Sequence, residues 1–517
     1  MFRFAEVRFD EGRTSFKGDA HVSFGLSVKD ECGNEAGTVG GWTWDGTSLV
    51  ACSDRHGYLP LYYHLDERSR HLMLSDSPLR LLAEGIGTEF DRESLAFFCR
   101  SGFVLGDRTL HRGVHRVPAG SMIRWQDGAF SVTEVEPRFN CSSPDSIEDA
   151  LQGWIDRFQV AMQRRRPSGA FAMPLTGGRD SRMMLMELRR LGHDPVETVS
   201  FAPGVRGENE DLRIARTISE RLGLRHVAAR SDKGWLEVEK ERHAWCGCEA
   251  IEHAWLMGLW GYMKAHHDCW YDGLGVGAMT RGELNTPDML ELLRANRLDE
   301  WCDAMYARTA APSGSWGDRI AKVLDVELPG RDEIVDLVRQ ELARHLDAPN
   351  PLGRFSFCNW GRRSIALNPF GICRDAREVH TPFMDRDLVE WVAAVPAEWT
   401  FENDLQTTAS RRLHPELADV EFDRHMPSRS RRIGMRRRLG NWIEKTRFFS
   451  GPGNRFRGLA GEAMKDIRRD PGANRALALM VQLVLADGAR GTGRDRDLLS
   501  VIDGDGSVPR SVREAVA

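Results

Sequence analysis

The pattern of apolar and polar positions changes character near residue 136. Before it, short apolar segments alternate with turn residues such as Asp45 and Gly46, which is typical of β-strands joined by tight turns. The segments that predict strands are residues 2–9, 22–28, 48–53, 61–64, 72–74 and 122–125. One helix is predicted directly after Asp91, because a carboxylate suits the N-terminus of a helix. We therefore expect residues 1–136 to form a β-rich first domain.

Predicted strands and helices alternate after a polar connection over residues 136–147. A helix is predicted over residues 147–164 and another over residues 208–222. Strands are predicted at residues 171–175, 197–202 and 225–228, and a further one begins at residue 269. Such alternation predicts a parallel sheet with helices on both faces. The later sequence is mainly helical, so we expect this domain to span residues 148–447 and a helical C-terminal extension with a polar tail to span residues 448–517.

One stretch of this second domain joins a predicted strand to a predicted helix through glycines. Residues 170–182 read Ala-Phe-Ala-Met-Pro-Leu-Thr-Gly-Gly-Arg-Asp-Ser-Arg. Backbone N–H groups at the start of a helix lack helical partners, and the helix dipole adds positive potential there. The sequence therefore predicts an anion site, with phosphate as the expected occupant. Gly177 and Gly178 allow close approach, and Thr176 and Ser181 add hydroxyl donors.

Asp180 is the unusual member of this loop. A carboxylate repels a bound phosphate unless a cation lies between them, so Asp180 predicts Mg²⁺ at the same place. The alternative is a plain strand–turn–helix connection with a glycine-rich turn.

Composition narrows the class of protein. The chain has 517 residues, of which 41% are hydrophobic and 28% charged, with a formal net charge of −5. This composition is typical of globular domains and argues against a mainly nucleic-acid-binding protein. No apolar segment approaches the ~18 residues of a membrane span, and no signal peptide is predicted. The ten cysteines are scattered without paired zinc spacing, so a cytoplasmic protein with reduced thiols is expected.

Several motifs in one order resemble the asparagine synthetase family over residues 40–430. Residues 176–181 resemble the family's Ser-Gly-Gly-x-Asp-Ser loop, with Thr176 in place of the first Ser. Residues 53–63 and 106–120 are similar to two segments of its glutaminase domain. Residues 199–201 with the acidic residues 210–211, the glycine segment 272–277, and Glu-Val-His-Thr-Pro-Phe-Met-Asp at 378–385 are similar to its synthetase half.

The resemblance implies a mixed α/β and α+β fold. Residues 1–136 would form a degenerate Ntn-type glutaminase-like β-sandwich. Residues 148–447 would form a parallel-sheet ATP-pyrophosphatase domain, similar to adenine nucleotide α-hydrolases, with a helical C-terminal part. A tRNA-thiolating or sulfate-activating pyrophosphatase is disfavoured by the β-rich first domain.

The implied activity is that of an ATP-dependent carbon–nitrogen ligase, an amidotransferase of the asparagine synthase type. A carboxylate is adenylated with loss of pyrophosphate, and ammonia or an amine then takes the acyl group. The implied cofactors are ATP and Mg²⁺. The implied partners are a small-molecule or peptide carboxylate and an amine or ammonia, without nucleic acid or membrane, and a homodimer is left open. The implied site residues are Asp180 and Arg182 for catalysis; Thr176, Gly177, Gly178, Arg179, Ser181, Ser200 and Gly273 for ATP and pyrophosphate; and Asp180 and Asp272 for the metal.

The chain also departs from the family pattern. Phe2 stands where glutamine-hydrolysing members have a nucleophilic Cys, so we expect no glutaminase activity, as in β-lactam synthetases and lasso-peptide cyclases. Gly277 stands where the family has an Asp, Leu274 stands where it often has Glu or Tyr, and Met426 stands where it has a Lys. The basic stretch 424–447 is interpreted as a solvated helix or as a flap over a polyanion. The alternative function is a catalytically inactive nucleotide-binding or scaffold homologue.

Overall fold

A computed structural model describes most of the chain. The described ranges are residues 2–86, 89–135, 139, 142–202, 210–231, 233–280, 284–309, 313–401, 404–422, 435–466 and 471–490. The predictions for Met426, for residues 424–434 of the basic stretch and for the polar tail lie outside these ranges.

Two five-stranded antiparallel sheets form the first part of the molecule. The strand orders are β2-β1-β7-β6-β8 and β10-β9-β5-β4-β3. Apolar side chains between the sheets form one core, in which Ala5 and Leu72 face Trp42 and Trp125. The strands are β1 (Phe4–Asp10), β2 (Arg13–Gly18), β3 (His21–Leu26), β4 (Thr38–Trp44), β5 (Ser48–Cys52), β6 (Tyr62–Asp66), β7 (His71–Ser75), β8 (Val114–Arg116), β9 (Ser121–Gln126) and β10 (Ala129–Glu134).

All six strands predicted from the sequence of this part are confirmed, but β2, β4, β8 and β10 are missing from the prediction. Strand β10 is mostly exposed, so it lacks a buried apolar pattern. Strand β4 contains Gly40 and Gly41, which are typical of turns. Gly41 is needed because a Cβ there would lie 2.0 Å from the carbonyl oxygen of Val22 on β3. Close strand approach explains this glycine.

Two helices lie on the first part of the molecule. They are α1 (Pro78–Ala83) and α2 (Arg92–Ser101). The predicted cap of α2 is confirmed, because Asp91 accepts a hydrogen bond of 2.8 Å from the backbone N–H of Ser94.

The predicted parallel sheet is also confirmed. Its order is β13-β12-β11-β14-β15, and every pair is parallel. Consecutive residues of a strand point into the cores on opposite faces of the sheet. Trp270 and Tyr271 of β14 show this, because each lies in a different core. The strands are β11 (Ala172–Pro174), β12 (Glu197–Phe201), β13 (His226–Ala229), β14 (Cys269–Tyr271) and β15 (Glu378–His380).

Helices cover both faces of this sheet and form most of the described chain after β14. The helix predicted over residues 147–164 matches the structure at both ends. The helices are α3 (Ile147–Arg164), α4 (Arg179–Arg190), α5 (Glu210–Arg221), α6 (Trp235–Cys246), α7 (Met257–His266), α8 (Gly277–Thr280), α9 (Pro287–Arg294), α10 (Leu298–Thr309), α11 (Ser313–Val323), α12 (Arg331–Ala343), α13 (Pro351–Ser356), α14 (Arg386–Ala393), α15 (Asp404–Leu413), α16 (Met435–Ser450), α17 (Arg457–Asp466) and α18 (Pro471–Arg490).

The C-terminal helices pack against the front of the chain. Leu477 and Met480 of α18 share one apolar core with Phe4 of β1 and Leu79 of α1. Helix α11 contributes Trp316 to the same core. None of the helices within the described ranges is long and apolar enough to cross a membrane.

A buried charge network connects the antiparallel sheets to the second half of the molecule. Glu249 accepts a hydrogen bond of 2.6 Å from the hydroxyl of Tyr62 on β6 and one of 3.1 Å from Arg363. Arg116 of β8 donates to the carbonyl oxygen of Tyr58 at 3.0 Å, and Arg362 donates to that of Gly57 at 2.9 Å. Because these charged groups are buried, each depends on its partner.

We predict that Glu249→Ala destabilises the protein by about 3–5 kcal/mol, because it leaves the Arg363 guanidinium buried without its carboxylate. Urea unfolding followed by circular dichroism measures the loss. The matched control is Glu237→Ala on the exposed first turn of α6, which should change stability by less than about 1 kcal/mol. Equal effects of the two substitutions would show that the buried pair is not a major source of stability.

Candidate functional site

The glycine loop lies where the order of strands in the parallel sheet reverses. Strand β11 is paired with β12 on one side and with β14 on the other. The chain leaves β11 through residues 175–178 and enters α4, and it leaves β14 through Asp272 and Gly273. Ligands of open α/β sheets bind at such a reversal, outside the carboxyl ends of the strands. The fold therefore brings two predicted segments to the expected edge.

The backbone N–H groups of the loop have partners within the chain. Thr176 N donates to Ser181 Oγ at 3.1 Å, and Gly178 N donates to Thr176 Oγ1 at 3.0 Å. Gly177 N donates to Asp211 Oδ1 of α5 at 2.5 Å. The expectation that these three groups are unpaired is therefore wrong, because neighbouring side-chain oxygens accept from them. An anion contacting these N–H groups would have to replace the side-chain oxygens.

Two carboxylates meet beside the loop. A Cβ on Gly273 would lie 2.8 Å from Cβ of Asp180, so only glycine permits this approach. Asp272 is buried, and burial raises the pKa of its carboxyl to about 6, with a further contribution from the charge of Asp180. Asp272 Oδ1 accepts from Leu274 N at 2.8 Å. A buried carboxylate next to a half-buried one suits a hard divalent cation.

The two arginines of the loop have different environments. Arg182 is buried and donates to the carbonyl oxygens of Val420 and Glu421 at 2.8 and 2.9 Å. Burial, together with the charge of Arg179, lowers the pKa of Arg182 to about 10. Arg179 donates to Thr407 Oγ1 at 2.6 Å. Both guanidinium groups lie against the ring of Phe422, at 4.7 Å for Arg179 and 4.3 Å for Arg182.

The structure thus brings together some predicted site residues and separates others. Thr176, Gly177, Gly178 and Ser181 form one hydrogen-bonded loop, and Asp180 meets Gly273 beside it. Ser200 lies on β12, and its hydroxyl donates to the carbonyl oxygen of Leu175 at 2.5 Å. Arg182 holds residues 420–421. The side chains of Ser200 and Arg182 therefore stabilise the backbone around the loop.

Sequence reasoning missed other residues that position the site. Gln406 of α15 donates through Nε2 to Asp180 Oδ1. Asn368 approaches Asp272 Oδ2 with its amide nitrogen at 3.5 Å. No local pattern marks either amide, because each reaches the carboxylates only through tertiary packing.

The second glycine segment has a packing role. Gly275 has φ 146°, and a Cβ there would lie 2.1 Å from the carbonyl oxygen of Phe383. Val276 N donates to that same oxygen at 3.1 Å. The segment after β14 is thus fixed against residues 382–384, which belong to the motif at 378–385.

The head of β1 is apolar and buried. The ring of Phe2 packs edge-on against Trp245, with centroids 6.0 Å apart, and the Arg374 guanidinium lies 4.4 Å from its centroid. Residues 2–10 contain no Cys, Ser or Thr. Cys52 lies at the end of β5, beside a cavity of about 200 Å³ that Asp54 and Arg386 also line.

Comparison with known protein families gives a match in the first part of the chain. The model of the glutamine amidotransferase domain family matches residues 39–136, which run from β4 through β10. No curated protein matches the chain. The antiparallel sandwich thus fits a glutamine amidotransferase domain. The match begins after β1, so it does not include Phe2.

We predict a pH-dependent penalty from Asp272 in chelator-treated protein. Its raised pKa means that the folded state retains a proton that the unfolded chain releases, so stability falls as pH rises from about 4 to about 6. Asp272→Asn should be more stable than the wild type by about 3 kcal/mol above pH 6. Below about pH 4 the wild type and Asp272→Asn should have the same free energy of unfolding. Urea unfolding at pH 4 and 7.5 measures both, and a pH-independent difference would contradict this assignment.

Proposed function

We propose that the chain is an ATP-dependent amide-forming ligase that adenylates a carboxylate and transfers the acyl group to ammonia or an amine. The observation that supports this proposal is the meeting of the glycine loop with Asp180 and Asp272 at the strand reversal. A phosphate-binding loop alone fits many nucleotide enzymes. Two adjoining carboxylates add a place for the cation that a polyphosphate requires.

The loop would hold the leaving pyrophosphate. Thr176 and Ser181 already form a hydroxyl pair at 3.1 Å, and the N-terminus of α4 lies next to it. Asp180 and Asp272 would hold Mg²⁺, which supplies positive charge for the phosphate oxygens as pyrophosphate leaves. Gln406 orients the Asp180 carboxylate by donating to Oδ1. Asp211 keeps Gly177 in place until an anion competes for its N–H.

Arg182 has a positioning role in this proposal. Its guanidinium lies between the loop helix and residues 420–422, so it fixes that segment over the edge of the site. Arg179 packs on the same ring of Phe422 but is only partly buried. Of the two arginines, it is therefore the one better placed to contact a bound phosphate.

The front domain would lack glutamine hydrolysis. This part of the proposal is supported by the apolar packing of Phe2 between Trp245 and Arg374. A nucleophile at the head of β1 would need a polar pocket and a base, whereas the residues there form a core. The domain would then serve as a structural partner of the second half, which it contacts through the hydrogen bond from Tyr62 to Glu249.

We predict that Asp180→Asn lowers pyrophosphate release from ATP by at least about 100-fold, since one group that stabilises transition-state charge is typically worth this much. Release is measured by a coupled phosphate assay with Mg²⁺, ammonium and a panel of amino acids that includes aspartate. Asp268→Asn is the control, because that carboxylate is exposed beside the start of β14. Release of ADP and phosphate by the wild type would contradict adenylation. Binding of ATP without any pyrophosphate release would favour an inactive nucleotide-binding homologue.

We predict that ammonium but not glutamine supports product formation, because no nucleophilic side chain lies at the head of β1. Glutamate released from glutamine is the measured quantity. Cys52→Ala should leave the background rate of glutamate release unchanged. Glutamate release that Cys52→Ala abolishes would show that the domain hydrolyses glutamine by another route.

A further inference from the structure

The last two strands of the parallel sheet carry a second cluster of chemically active side chains. The thiol of Cys269, a carboxylate oxygen of Glu378 and a ring nitrogen of His380 all lie within 4.8 Å of one another. Cys269 begins β14, whereas Asp272 follows its end. With a rise of about 3.3 Å per residue, the backbone of Cys269 is roughly 10 Å along the strand from that of Asp272.

Strand register produces the cluster. In the parallel pair of β14 and β15, Cys269 lies opposite Glu378, and Tyr271 lies opposite His380. Alternate residues of a strand share one face, so Cys269, Glu378 and His380 point to the same side of the sheet. Because β15 is an edge strand, Glu378 stays partly exposed, with 22% of its side chain accessible, and solvent ions reach it.

The imidazole of the cluster makes no hydrogen bond of good geometry within the described residues. Cys269 and His380 are buried. Nε2 of His380 lies 2.6 Å from Oε1 of Glu378, yet the contact is not aligned as a hydrogen bond, and neither ring nitrogen has a hydrogen-bond partner within the described part of the chain. A buried imidazole whose nitrogens lack aligned hydrogen bonds is unfavourable, and a cation bound to the ring lone pair would remove this cost.

We propose that Cys269, Glu378 and His380 bind a divalent transition-metal ion of the zinc class. Thiolate and imidazole ligands select zinc-like ions over Mg²⁺ and Ca²⁺, which prefer oxygen. Tetrahedral zinc with bonds of about 2.0–2.3 Å keeps its ligand atoms within about 4 Å of one another, so small side-chain rotations suffice. Three protein ligands leave a fourth position for water.

Neighbouring groups hold the ligands in place. The ring of Tyr271 stacks on His380 with centroids 4.6 Å apart and an angle of 17° between the rings. The Tyr271 hydroxyl donates to the carbonyl oxygen of Arg165 at 2.5 Å, which fixes that ring. Ser168 Oγ donates to Glu378 Oε2 at 3.4 Å and leaves Oε1 toward the imidazole. Such outer contacts orient ligands at metal sites.

The ion would join β15 to β14 and so fix the segment that follows β15. That segment contains Phe383, which packs against Gly275, and Asp385, which pairs with Arg165 at 2.6 Å. The proposal is therefore a metal site that joins β14 to β15 on one face of the sheet, and it does not depend on the proposed ligase activity.

The test begins with chelator-stripped full-length protein titrated with Zn²⁺ and, separately, with Co²⁺. We expect one tight equivalent per chain, a rise in melting temperature, and a cobalt–thiolate charge-transfer band. Glu378→Gln, at a partly exposed position that should still fold, should weaken Zn²⁺ binding by at least about 10-fold.

Cys269→Ser should abolish the cobalt–thiolate band and the rise in melting temperature. Cys302→Ser is the control, because that thiol is equally buried but lies in a different core. A stripped wild type that binds no stoichiometric ion would overturn the proposal. A cobalt–thiolate band that persists in Cys269→Ser would do so too. If Cys269→Ser does not fold, unchanged Zn²⁺ affinity in Glu378→Gln overturns the proposal by itself.

Discussion

The close approach of Asp180 to Gly273, the residue after the buried Asp272, is the constraint on which the site depends. Burial raises the pKa of the Asp272 carboxyl, and the charge of Asp180 adds a smaller repulsion. The approach exists only because Gly273 has no Cβ and because β11 and β14 are neighbours in the sheet. A cation would convert this repulsion into attraction. The fold thus accepts electrostatic strain at the edge where open α/β sheets bind their ligands.

The front sandwich and the second half of the chain are joined by a shared apolar core and by buried polar contacts. Helix α18, near the end of the described chain, fills a core with the first strand, and the buried Glu249 links Tyr62 to Arg363. A glutamine amidotransferase match over residues 39–136 therefore describes a domain that is also a packing partner. The domain therefore contributes to the core of the chain whatever its own chemistry.

Two regions of the parallel sheet offer different ligand chemistry. The carboxyl ends of β11 and β14 bring oxygen ligands and hydroxyl donors to the glycine loop, which suits hard cations and phosphate. One face of the β14–β15 pair carries a thiol, an imidazole and a carboxylate, which suits a softer ion. One motif, residues 378–385, reaches both regions. Its first residues form β15 with Glu378 and His380, and its Phe383 packs against Gly275 on the way to Asp272.

The sequence alone determined the features that depend on neighbouring residues. Apolar periodicity located α3 and strands β11 to β14, but not β15, and turn residues located the loop at Gly177 and Gly178. Only the tertiary structure decided which side chains meet. Strand β10 lacks a buried face, Gln406 reaches Asp180 from a distant helix, and Arg182 binds the carbonyls of residues 420 and 421. Strand pairing likewise brings Cys269 to Glu378. Periodicity and turn chemistry are local properties, whereas register and packing join residues far apart in the chain.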